Sequence, residues 1–272
     1  MKKRLIALTA VMALGVLGAC GNKENNSASE TPASTPSPSA SQGKIVVGTS
    51  ADYAPFEFHK TIDGKDTIVG FDIAIAKEIA QDLNAELVIT DTDFDGLLLS
   101  LDTGKVDFVI SGMNPTEERR KQVDFSDIYY NASQGVLVSK ETADQYKTPE
   151  DLKNKKIGVQ KGTIQEDLAK EIEGAQLTSL SKIPELVMEI TSGRVDAVIL
   201  EKPVAEQYAK TQSSTAVSDI VIEQPADETG FAIAVKKGDA QLVEDINETL
   251  KRLQDNGDID RFVVEANELA GE

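Results

Sequence analysis

The sequence predicts an α/β protein whose globular part, from about residue 44 onwards, forms two lobes with a cleft between them. Short β-branched runs alternate with segments of helical periodicity, a pattern typical of buried and mostly parallel sheets. These runs fall into two groups, from about Lys44 to Tyr130 and from about Gln134 to Gln224. A further strand after Thr229 is expected to return to the first lobe. Two crossings between lobes would form a hinge.

Strands and helices are predicted from local patterns along the chain. Large apolar residues four apart predict a helix from Phe71 to Leu83 and another from Leu242 to Leu253, with Gly257 as the stop of the second. Nine apolar, β-branched runs predict strands. They are Lys44–Ser50, Ala85–Thr90, Val106–Gly112, Gly135–Lys140, Lys156–Gln160, Ala175–Leu180, Val195–Glu201, Asp219–Gln224 and Gly230–Lys236.

The N-terminal residues have the organisation of a secretory signal. Three basic residues at 2–4 precede an apolar run at 5–16, which is shorter than the roughly 20 residues of a transmembrane helix. Leu17-Gly18-Ala19-Cys20 follows and resembles the bacterial lipobox. The resemblance implies removal of residues 1–19 and a lipid on Cys20, which would hold the protein on the extracellular face of the membrane. An uncleaved anchor is the alternative.

The residues that follow predict a flexible tether, and together with the pattern above they define the domains. Residues 21–43 are mainly small and polar, so they cannot bury enough apolar surface to fold. The predicted domains are the signal at 1–19, the lipidated tether at 20–43, lobe 1 at 44–131 with 228–272, and lobe 2 at 132–227.

The charge of the chain is strongly negative. The formal net charge is −18, and removal of the three basic residues in the signal makes it −21. This charge argues against nucleic acid and anionic lipid as partners. It indicates a well-solvated surface and is compatible with a cationic ligand.

Six strings of residues carry a resemblance to a known family. They are Val47–Phe58, Val69–Ala74, Gly104–Asp107 with Ser111–Arg119, Val123–Tyr130, Ile157–Thr163 and Gly193–Glu201. In this order and spacing they resemble the amino-acid solute-binding proteins of ABC transporters, over nearly all of the chain after Lys44. The resemblance implies a two-lobed periplasmic-binding-protein type II fold with a hinge and an interlobe cleft. It also implies a monomer whose partners are a free amino acid, the permease subunits and their cytoplasmic ATPase.

The resemblance assigns the ligand's carboxylate to Arg119, because a guanidinium can grip a carboxylate with two parallel hydrogen bonds. Arg120 is the competing candidate. Thr163 should begin a helix whose dipole favours a carboxylate, although it could serve as an N-cap alone. Met113, Gln160 and Ile164 are expected in the same shell.

A second group of residues is expected around the ligand's carboxylate and ammonium, with the Gly112 amide on the carboxylate. Ser111, Gly112 and Asn114 lie where the family offers a hydroxyl, a backbone amide and a polar side chain to the ligand. Glu201 stands at the end of a predicted strand, where the family places the carboxylate that receives the ammonium. Most relatives carry Asp there, and a salt bridge to Lys202 or Arg194 is the alternative role.

The ligand's side chain is expected between Tyr53 and Phe94, the two aromatic positions of the family. Ser50 replaces an Asp that many relatives use for basic amino acids or glutamine. An acidic contact is therefore missing unless Asp52, Glu57 or Asp95 supplies it. Arginine or another basic amino acid is the favoured ligand, with glutamine next.

The sequence argues against an enzyme and against a cofactor. His59, the only histidine, lies in a polar, loop-like stretch, which excludes a histidine metal cluster and a Ser-His-Asp triad. Asp91, Asp93 and Asp95 lack the turn Gly and terminal Glu of an EF-hand. No phosphate-binding loop of Walker type is present in the sequence. The alternative functions are a cyclohexadienyl-dehydratase-like enzyme on the same fold and a surface sensor or adhesin.

Overall fold

The computed structural model describes residues 43–224 and 229–271. The predicted signal, Cys20 and the tether up to residue 42 lie outside this part of the chain. Among the described residues, none of the helices combines the length and the apolar character needed to cross a bilayer.

The described chain contains 15 strands and eight α-helices. The strands are β1 (Gly43–Thr49), β2 (Asp52–Tyr53), β3 (Glu57–Ile62), β4 (Lys65–Val69), β5 (Ala85–Asp91), β6 (Phe108–Val109), β7 (Val123–Phe125), β8 (Tyr130–Asn131), β9 (Gln134–Ser139), β10 (Lys156–Gln160), β11 (Gln176–Leu180), β12 (Ala197–Glu201), β13 (Thr215–Val217), β14 (Gly230–Phe231) and β15 (Ala234–Lys236). The helices are α1 (Phe71–Asp82), α2 (Leu97–Asp102), α3 (Glu117–Gln122), α4 (Ile164–Lys170), α5 (Ile183–Thr191), α6 (Lys202–Thr211), α7 (Ala240–Asp255) and α8 (Asp258–Gly271).

Two five-stranded sheets form the centres of the two lobes. The first has the strand order β5-β1-β6-β15-β7 and the second the order β11-β10-β12-β9-β13. In each sheet three neighbouring strands are parallel, and the other two run antiparallel to their neighbours. The sheets are therefore mixed, where the sequence predicted mostly parallel ones. Apolar periodicity reports burial and not strand direction, which explains the difference.

The predicted amphipathic helices are confirmed. In α1 the apolar side chains of Phe71, Ile75 and Ile79 are buried, and the helix packs against α7 and α8. Burial of each such side chain contributes roughly 1.5–3 kcal/mol. The predicted stop at Gly257 follows α7 and has a φ of 73°, which a glycine adopts without strain.

The chain crosses between the sheets through the short strands β8 and β14, which pair antiparallel. Next to them the Ala132 N–H donates to the Thr229 carbonyl. The first crossing leads from β7 into β9, and the second leads back to β15 and the C-terminal helices. Residues 225–228, where the sequence places the return to lobe 1, lie outside the described residues.

Three local predictions were wrong. Asp219–Gln224 is not a strand, and the edge strand of the second sheet is β13 instead. The run Gly230–Lys236 is divided into β14 and β15. His59 lies within β3, in a small antiparallel sheet of β2, β3 and β4 that the sequence analysis missed. The strands of this small sheet carry many exposed residues, so they lack the continuous apolar run used for the other strands.

Candidate functional site

A small cavity lies between the two lobes. Its lining contains ten of the twelve predicted binding residues and three others. The predicted residues are Ser50, Tyr53, Phe94, Ser111, Gly112, Asn114, Gln160, Thr163, Ile164 and Glu201, and the others are Asp52, Glu57 and Gln165. Both lobes contribute, because the residues up to Asn114 belong to the part with the first sheet and those from Gln160 to the part with the second. A small polar ligand fits this type of site.

The two predicted aromatic residues belong to the lining on the lobe 1 side. Tyr53 is buried at the end of β2, and its hydroxyl accepts a hydrogen bond from the Glu201 N–H at 3.3 Å. Phe94 begins a 3₁₀ turn after β5, and the Arg119 guanidinium carbon lies 5.3 Å from its ring centre. Tyr53 therefore already bridges the two lobes, and Phe94 has a cation–π contact.

A chain of hydrogen bonds connects Ser50 to a fully buried carboxyl group. The Ser50 N–H donates to the Ser111 hydroxyl at 3.0 Å, and this hydroxyl donates to Glu57 Oε1 at 2.5 Å. Within the described part of the chain, Glu57 Oε2 has no donor other than the neighbouring Asp72 carboxyl in its protonated form. Glu57 thus adds a carboxyl group to a cavity lining in which Ser50 has only a hydroxyl.

Asp72, the second residue of α1, lies behind the cavity and is also fully buried. Its Oδ2 accepts hydrogen bonds from the Gly112 N–H and the Tyr129 hydroxyl, both at 2.8 Å. The Gly112 amide, predicted to serve the ligand, is therefore engaged by Asp72. The φ of Gly112 is 52°, and an added Cβ would lie 3.5 Å from the Tyr53 ring, so the backbone does approach the cavity closely.

Glu57 and Asp72 form a pair of neighbouring, fully buried carboxyl groups. Burial raises the pKa of Glu57 well above its ordinary value, and repulsion by Asp72 raises it further. Burial also raises the pKa of Asp72, to about 6, although its hydrogen bonds from Gly112 and Tyr129 oppose the shift. The pair shares a hydrogen bond when one carboxyl is protonated. It therefore retains a proton that a carboxyl in water would lose.

Glu201 is the buried acid of lobe 2 and ends β12, as the sequence predicted. Its Oε1 accepts a hydrogen bond from Gln165 Nε2 at 2.5 Å, and the same amide donates to Gln134 at 2.9 Å. Glu201 Oε2 has no hydrogen-bond donor among the residues described. Burial raises the pKa of Glu201 to about 8. A cation beside this carboxylate would offset the cost of ionising it.

The alternative salt-bridge partners of Glu201 bind other residues. Arg194 donates to Glu189 at 2.6 Å, and Lys202 lies 3.8 Å from Glu206. Glu201 thus remains directed to the cavity and to Gln165. The sequence analysis missed Gln165, since a glutamine in the first turn of a helix carries no pattern that indicates a ligand site.

Arg119 is buried near the cavity but is not part of its lining. Its helix α3 is capped by Thr116, and its guanidinium donates to the Asn114 carbonyl at 2.8 Å and across the cleft to the Gly162 carbonyl at 2.9 Å. With Met113 it lines a neighbouring surface groove beside Phe94. These two residues are the predicted binding residues that the cavity lining does not include.

Arg120, the competing candidate, points away from the cleft. It is exposed, its Nε donates to the Pro115 carbonyl at 2.8 Å, and its guanidinium lies 5.5 Å from the Phe125 ring centre. Arg119 is therefore the arginine of this helix that reaches both lobes.

Thr163 begins α4 as predicted and acts as its N-cap. Its hydroxyl accepts a hydrogen bond from the Glu166 N–H at 3.4 Å and donates to the Gln160 carbonyl at 2.7 Å. The Asn114 amide group donates to the Gly230 carbonyl at 3.3 Å, near the crossing strands. These polar groups therefore hold the walls of the cavity in place.

Asp52 and Asp95, the other possible replacements for an acid at position 50, have partners across the cleft. Asp52 lines the cavity, but its Oδ2 accepts from the Ile183 N–H at 2.9 Å. Asp95 lies outside the lining and pairs with Lys161 at 2.8 Å. Of the three candidates, Glu57 is the one with a buried carboxyl oxygen that has no fixed donor in residues 43–224 and 229–271.

The acidic side chains at and after the end of β5 have partners within the protein. Asp91 accepts from the Ala51 N–H, whereas Asp93 and Asp95 pair with Lys182 and Lys161 of lobe 2. In the described residues no group of three or more His, Cys, Asp or Glu side chains could hold a metal ion.

Comparison with known proteins decides the family. The sequence profile of the bacterial extracellular solute-binding proteins, family 3, matches residues 45–265. The chain belongs to this family. A relative in the family, the arginine-binding extracellular protein ArtP of Bacillus subtilis (strain 168), is 40% identical over 265 residues, which cover 96% of each chain.

Solved structures of similar proteins confirm the two-lobed fold. A crystal structure of the amino acid ABC transporter substrate-binding protein AbpA from Streptococcus pneumoniae, bound to L-arginine, is 40% identical with a TM-score of 0.82. The match covers 85% of this chain and 97% of that one. The structure of holo ArgBP from T. maritima is also 40% identical, with a TM-score of 0.72 and coverage of 78% and 91%.

Proposed function

We propose that this solute-binding protein captures arginine between its lobes and delivers it to the permease of an ABC importer. The observation that carries the proposal is the pair of buried acids in one cavity, Glu57 from lobe 1 and Glu201 from lobe 2. Similarity to proteins named as arginine-binding and to a structure with bound L-arginine supports it.

The charges of the cavity favour arginine over glutamine. Arginine carries two cationic groups, an ammonium and a guanidinium, and each could neutralise one of the two buried acids. An ionised carboxylate without a partner is costly in a buried site. Glutamine brings a single cation, so one of the two acids would have to keep its proton. The proposal therefore narrows the predicted ligand from a basic amino acid or glutamine to arginine.

Each group of the ligand has a proposed partner. Glu201 receives the ammonium, as its place at the end of β12 suggests. Glu57 receives the guanidinium, in the role that the family's Asp has at position 50, and Tyr53 with Phe94 packs against the side chain. These aromatic contacts contribute roughly 0.5–2 kcal/mol each as cation–π interactions.

Arg119 is the proposed partner of the ligand's carboxylate. Its guanidinium now donates to the carbonyls of Asn114 and Gly162, both next to residues of the cavity lining. A charged carboxylate is the stronger acceptor and would compete with these carbonyls. Thr163 and the first turn of α4 would add a favourable dipole.

Capture would proceed by closure of the two lobes. Each lobe supplies part of the shell, so a ligand in contact with both favours the closed state over the open one. The protein would act as a monomer and without a cofactor. Its partners would be the permease subunits, whose ATPase lies in the cytoplasm.

The N-terminal residues support a proposal for localisation. Cleavage before Cys20 and lipidation of this residue would place the protein on the extracellular face of the membrane, attached through the lipid and the tether of residues 21–43. Cells grown with radiolabelled palmitate should then label the wild type and not a Cys20→Ser variant. A wild type without label would contradict lipidation and favour an uncleaved signal.

The proposal is tested by a thermal-shift screen of the protein after removal of any bound ligand. The ligands are the twenty amino acids, ornithine, citrulline and prephenate. A ligand at a hundred times its dissociation constant adds about 2.7 kcal/mol of stability. We expect stabilisation by arginine, less by neutral citrulline, and loss of the arginine effect in Arg119→Ala. If no amino acid stabilises the protein, the proposal is wrong, and turnover of prephenate would favour the dehydratase-like alternative.

A further inference from the structure

A short acidic segment of lobe 1 is attached to lobe 2 by two ion pairs. We call residues 93–95, Asp-Phe-Asp, the lip, because its central residue Phe94 lines the cavity. Asp93 lies 3.1 Å from the Lys182 ammonium, and Asp95 lies 2.8 Å from the Lys161 ammonium. Phe94, which lines the cavity, is thus flanked on both sides by contacts between the lobes.

The two lysines stand directly before residues that make further contacts across the cleft. Lys161 precedes Gly162, whose carbonyl accepts from Arg119. Lys182 precedes Ile183, whose N–H donates to Asp52. Each ion pair therefore reinforces a point where the two lobes already touch.

The backbones approach closely beside the first ion pair. Gly162 has a φ of 77°, and a Cβ added to it would lie 3.0 Å from Asp95 Cβ. A side chain at this position would push the lip away from lobe 2. The Asp95–Lys161 pair therefore acts at a contact that a glycine makes possible.

We propose that Lys161 and Lys182 are positioning residues that hold the Phe94 lip against lobe 2 and slow the escape of the bound ligand. The inference rests on the proposed function, since it requires an amino acid in this cavity. The four charged side chains of the two ion pairs lie outside the cavity lining. They act on the stability of the closed state and not through contact with the ligand.

The ion pairs are partly exposed, which determines the size of their effect. The exposed fractions are 58% for Lys161, 28% for Asp95, 32% for Lys182 and 49% for Asp93. Salt screens such pairs, since the Debye length is about 8 Å at 0.15 M ionic strength. Partly exposed pairs are individually weak, so we expect loss of both to speed dissociation by about two- to tenfold.

The experiment measures the release of radiolabelled arginine from the full-length protein after dilution into unlabelled arginine. The test variant is Lys161→Gln/Lys182→Gln. The control variant is Lys147→Gln/Lys153→Gln, whose lysines pair with Asp219 at 2.8 Å and Glu173 at 3.1 Å within lobe 2. The two variants lose the same charge and ion pairs of the same lengths, but only the test variant loses contacts between lobes.

We expect faster release from the test variant and an unchanged rate for the control. The rate for the wild type should rise with NaCl, and this rise should be weaker in the test variant. Equal release rates for the two variants would overturn the inference about the lip. If the wild type still binds arginine, the proposed function is upheld. Absence of arginine binding by the wild type would overturn both.

A charge exchange separates positioning from a general loss of stability. In Lys161→Asp/Asp95→Lys the pair is reversed, and we expect release close to the wild-type rate, whereas Lys161→Asp alone should release arginine faster. The exchanged protein could unfold, without ligand, at the same temperature as the wild type and still release arginine faster. That result would contradict the inference that this ion pair holds the lip.

Discussion

The two lobes have the same sheet topology, but their buried acids have different neighbours. In both sheets the fourth strand runs antiparallel to its two neighbours, and it follows a crossing from the other lobe. In lobe 1, Glu57 lies beside a second carboxyl, Asp72. In lobe 2, Glu201 lies against the amide of Gln165. The same architecture thus holds a carboxyl pair that shares a proton on one side and a single acid with an amide partner on the other.

This difference shows how one cleft could distinguish the two cationic ends of a ligand. A carboxyl pair can exchange its proton for a cation, whereas a single acid held by an amide presents one fixed carboxylate. The ends of the ligand would then be recognised by different chemistry although both carry a positive charge.

The largest expected effect comes from neutralising each acid in turn. Glu201→Gln should weaken the binding of arginine and citrulline alike, because both carry the ammonium. Loss of one member of a buried charge pair costs about 2–5 kcal/mol, or about thirtyfold or more in affinity. Glu57→Gln should weaken the binding of arginine by a similar amount but leave the affinity for citrulline within a few fold of the wild-type value. Isothermal titration calorimetry measures both. Equal losses for the two ligands in Glu57→Gln would contradict its assignment to the guanidinium.

The free energy of unfolding should depend on pH more strongly in the ligand-free protein than in the arginine-bound protein, because of Glu201 in lobe 2. The pKa of Glu201 rises from an ordinary 4.5 to about 8 in the fold, so the folded state keeps a proton that the unfolded state has lost. The stability from this group is complete below about pH 4.5 and is lost as the pH rises through about 8. The loss is at most about 5 kcal/mol.

Urea unfolding of the ligand-free wild type and Glu201→Gln at pH 5, 7 and 9 measures this effect. The variant should gain stability relative to the wild type as the pH rises. Saturating arginine should remove most of the wild-type slope, since the ammonium keeps Glu201 ionised. If the free energies of unfolding of the two proteins differed by a constant amount from pH 5 to pH 9, folding would not shift the pKa of Glu201.

Two glycines at equivalent places in the sheets should differ in their tolerance of a methyl group. A Cβ on Gly158 in β10 would lie 2.8 Å from Val198 Cγ2, whereas one on Gly48 in β1 would lie 3.2 Å from Val106 Cγ2. Gly158→Ala should therefore destabilise the protein by about 1–3 kcal/mol, and Gly48→Ala by less. Urea unfolding compares them, with Gly43→Ala as the control because no atom lies within 4 Å of its added Cβ. The reverse order would show that lobe 2 relaxes more easily than lobe 1.

The smallest expected effect concerns the two threonines that cap the helices beside the cleft. Thr116 accepts from the Arg119 N–H at 3.3 Å, and Thr163 accepts from the Glu166 N–H at 3.4 Å. Each Thr→Ala change should cost about 1 kcal/mol. Thr163→Ala should cost more, because its hydroxyl also donates to Gln160. Thermal unfolding measures both, and Thr→Ser should restore most of the loss. Equal costs at the two caps would mean that the second hydrogen bond adds nothing.

Local patterns predicted most of the secondary structure and failed in identifiable places. The spacing of Phe71, Ile75 and Ile79 predicted α1, and Thr163 predicted the start of α4. The edge strand β13 was missed because it has three residues and no long apolar run. The mixed direction of the strands was also missed, since it depends on the side from which the chain enters each sheet.

The candidate site was predicted mainly through the family resemblance, and ten of its twelve residues line one cavity. Glu57 was named only as one of three possible acids. Its partner Ser111 is 54 residues away, and Gln165 is 36 residues from Glu201. Contacts at such separations leave no periodic pattern in the chain, so the sequence could not rank these residues.

The sequence by itself determined the alternation of strands and helices, the net negative charge and the set of polar and aromatic residues available for a cleft. These features depend on local composition and spacing, which are read directly along the chain. Only the tertiary structure decided which acids are buried, which carboxyl oxygens have no donor, and that Asp93 and Asp95 pair with the opposite lobe. Burial and electrostatic pairing depend on distances between remote residues, and these distances exist only once the two lobes have folded and closed.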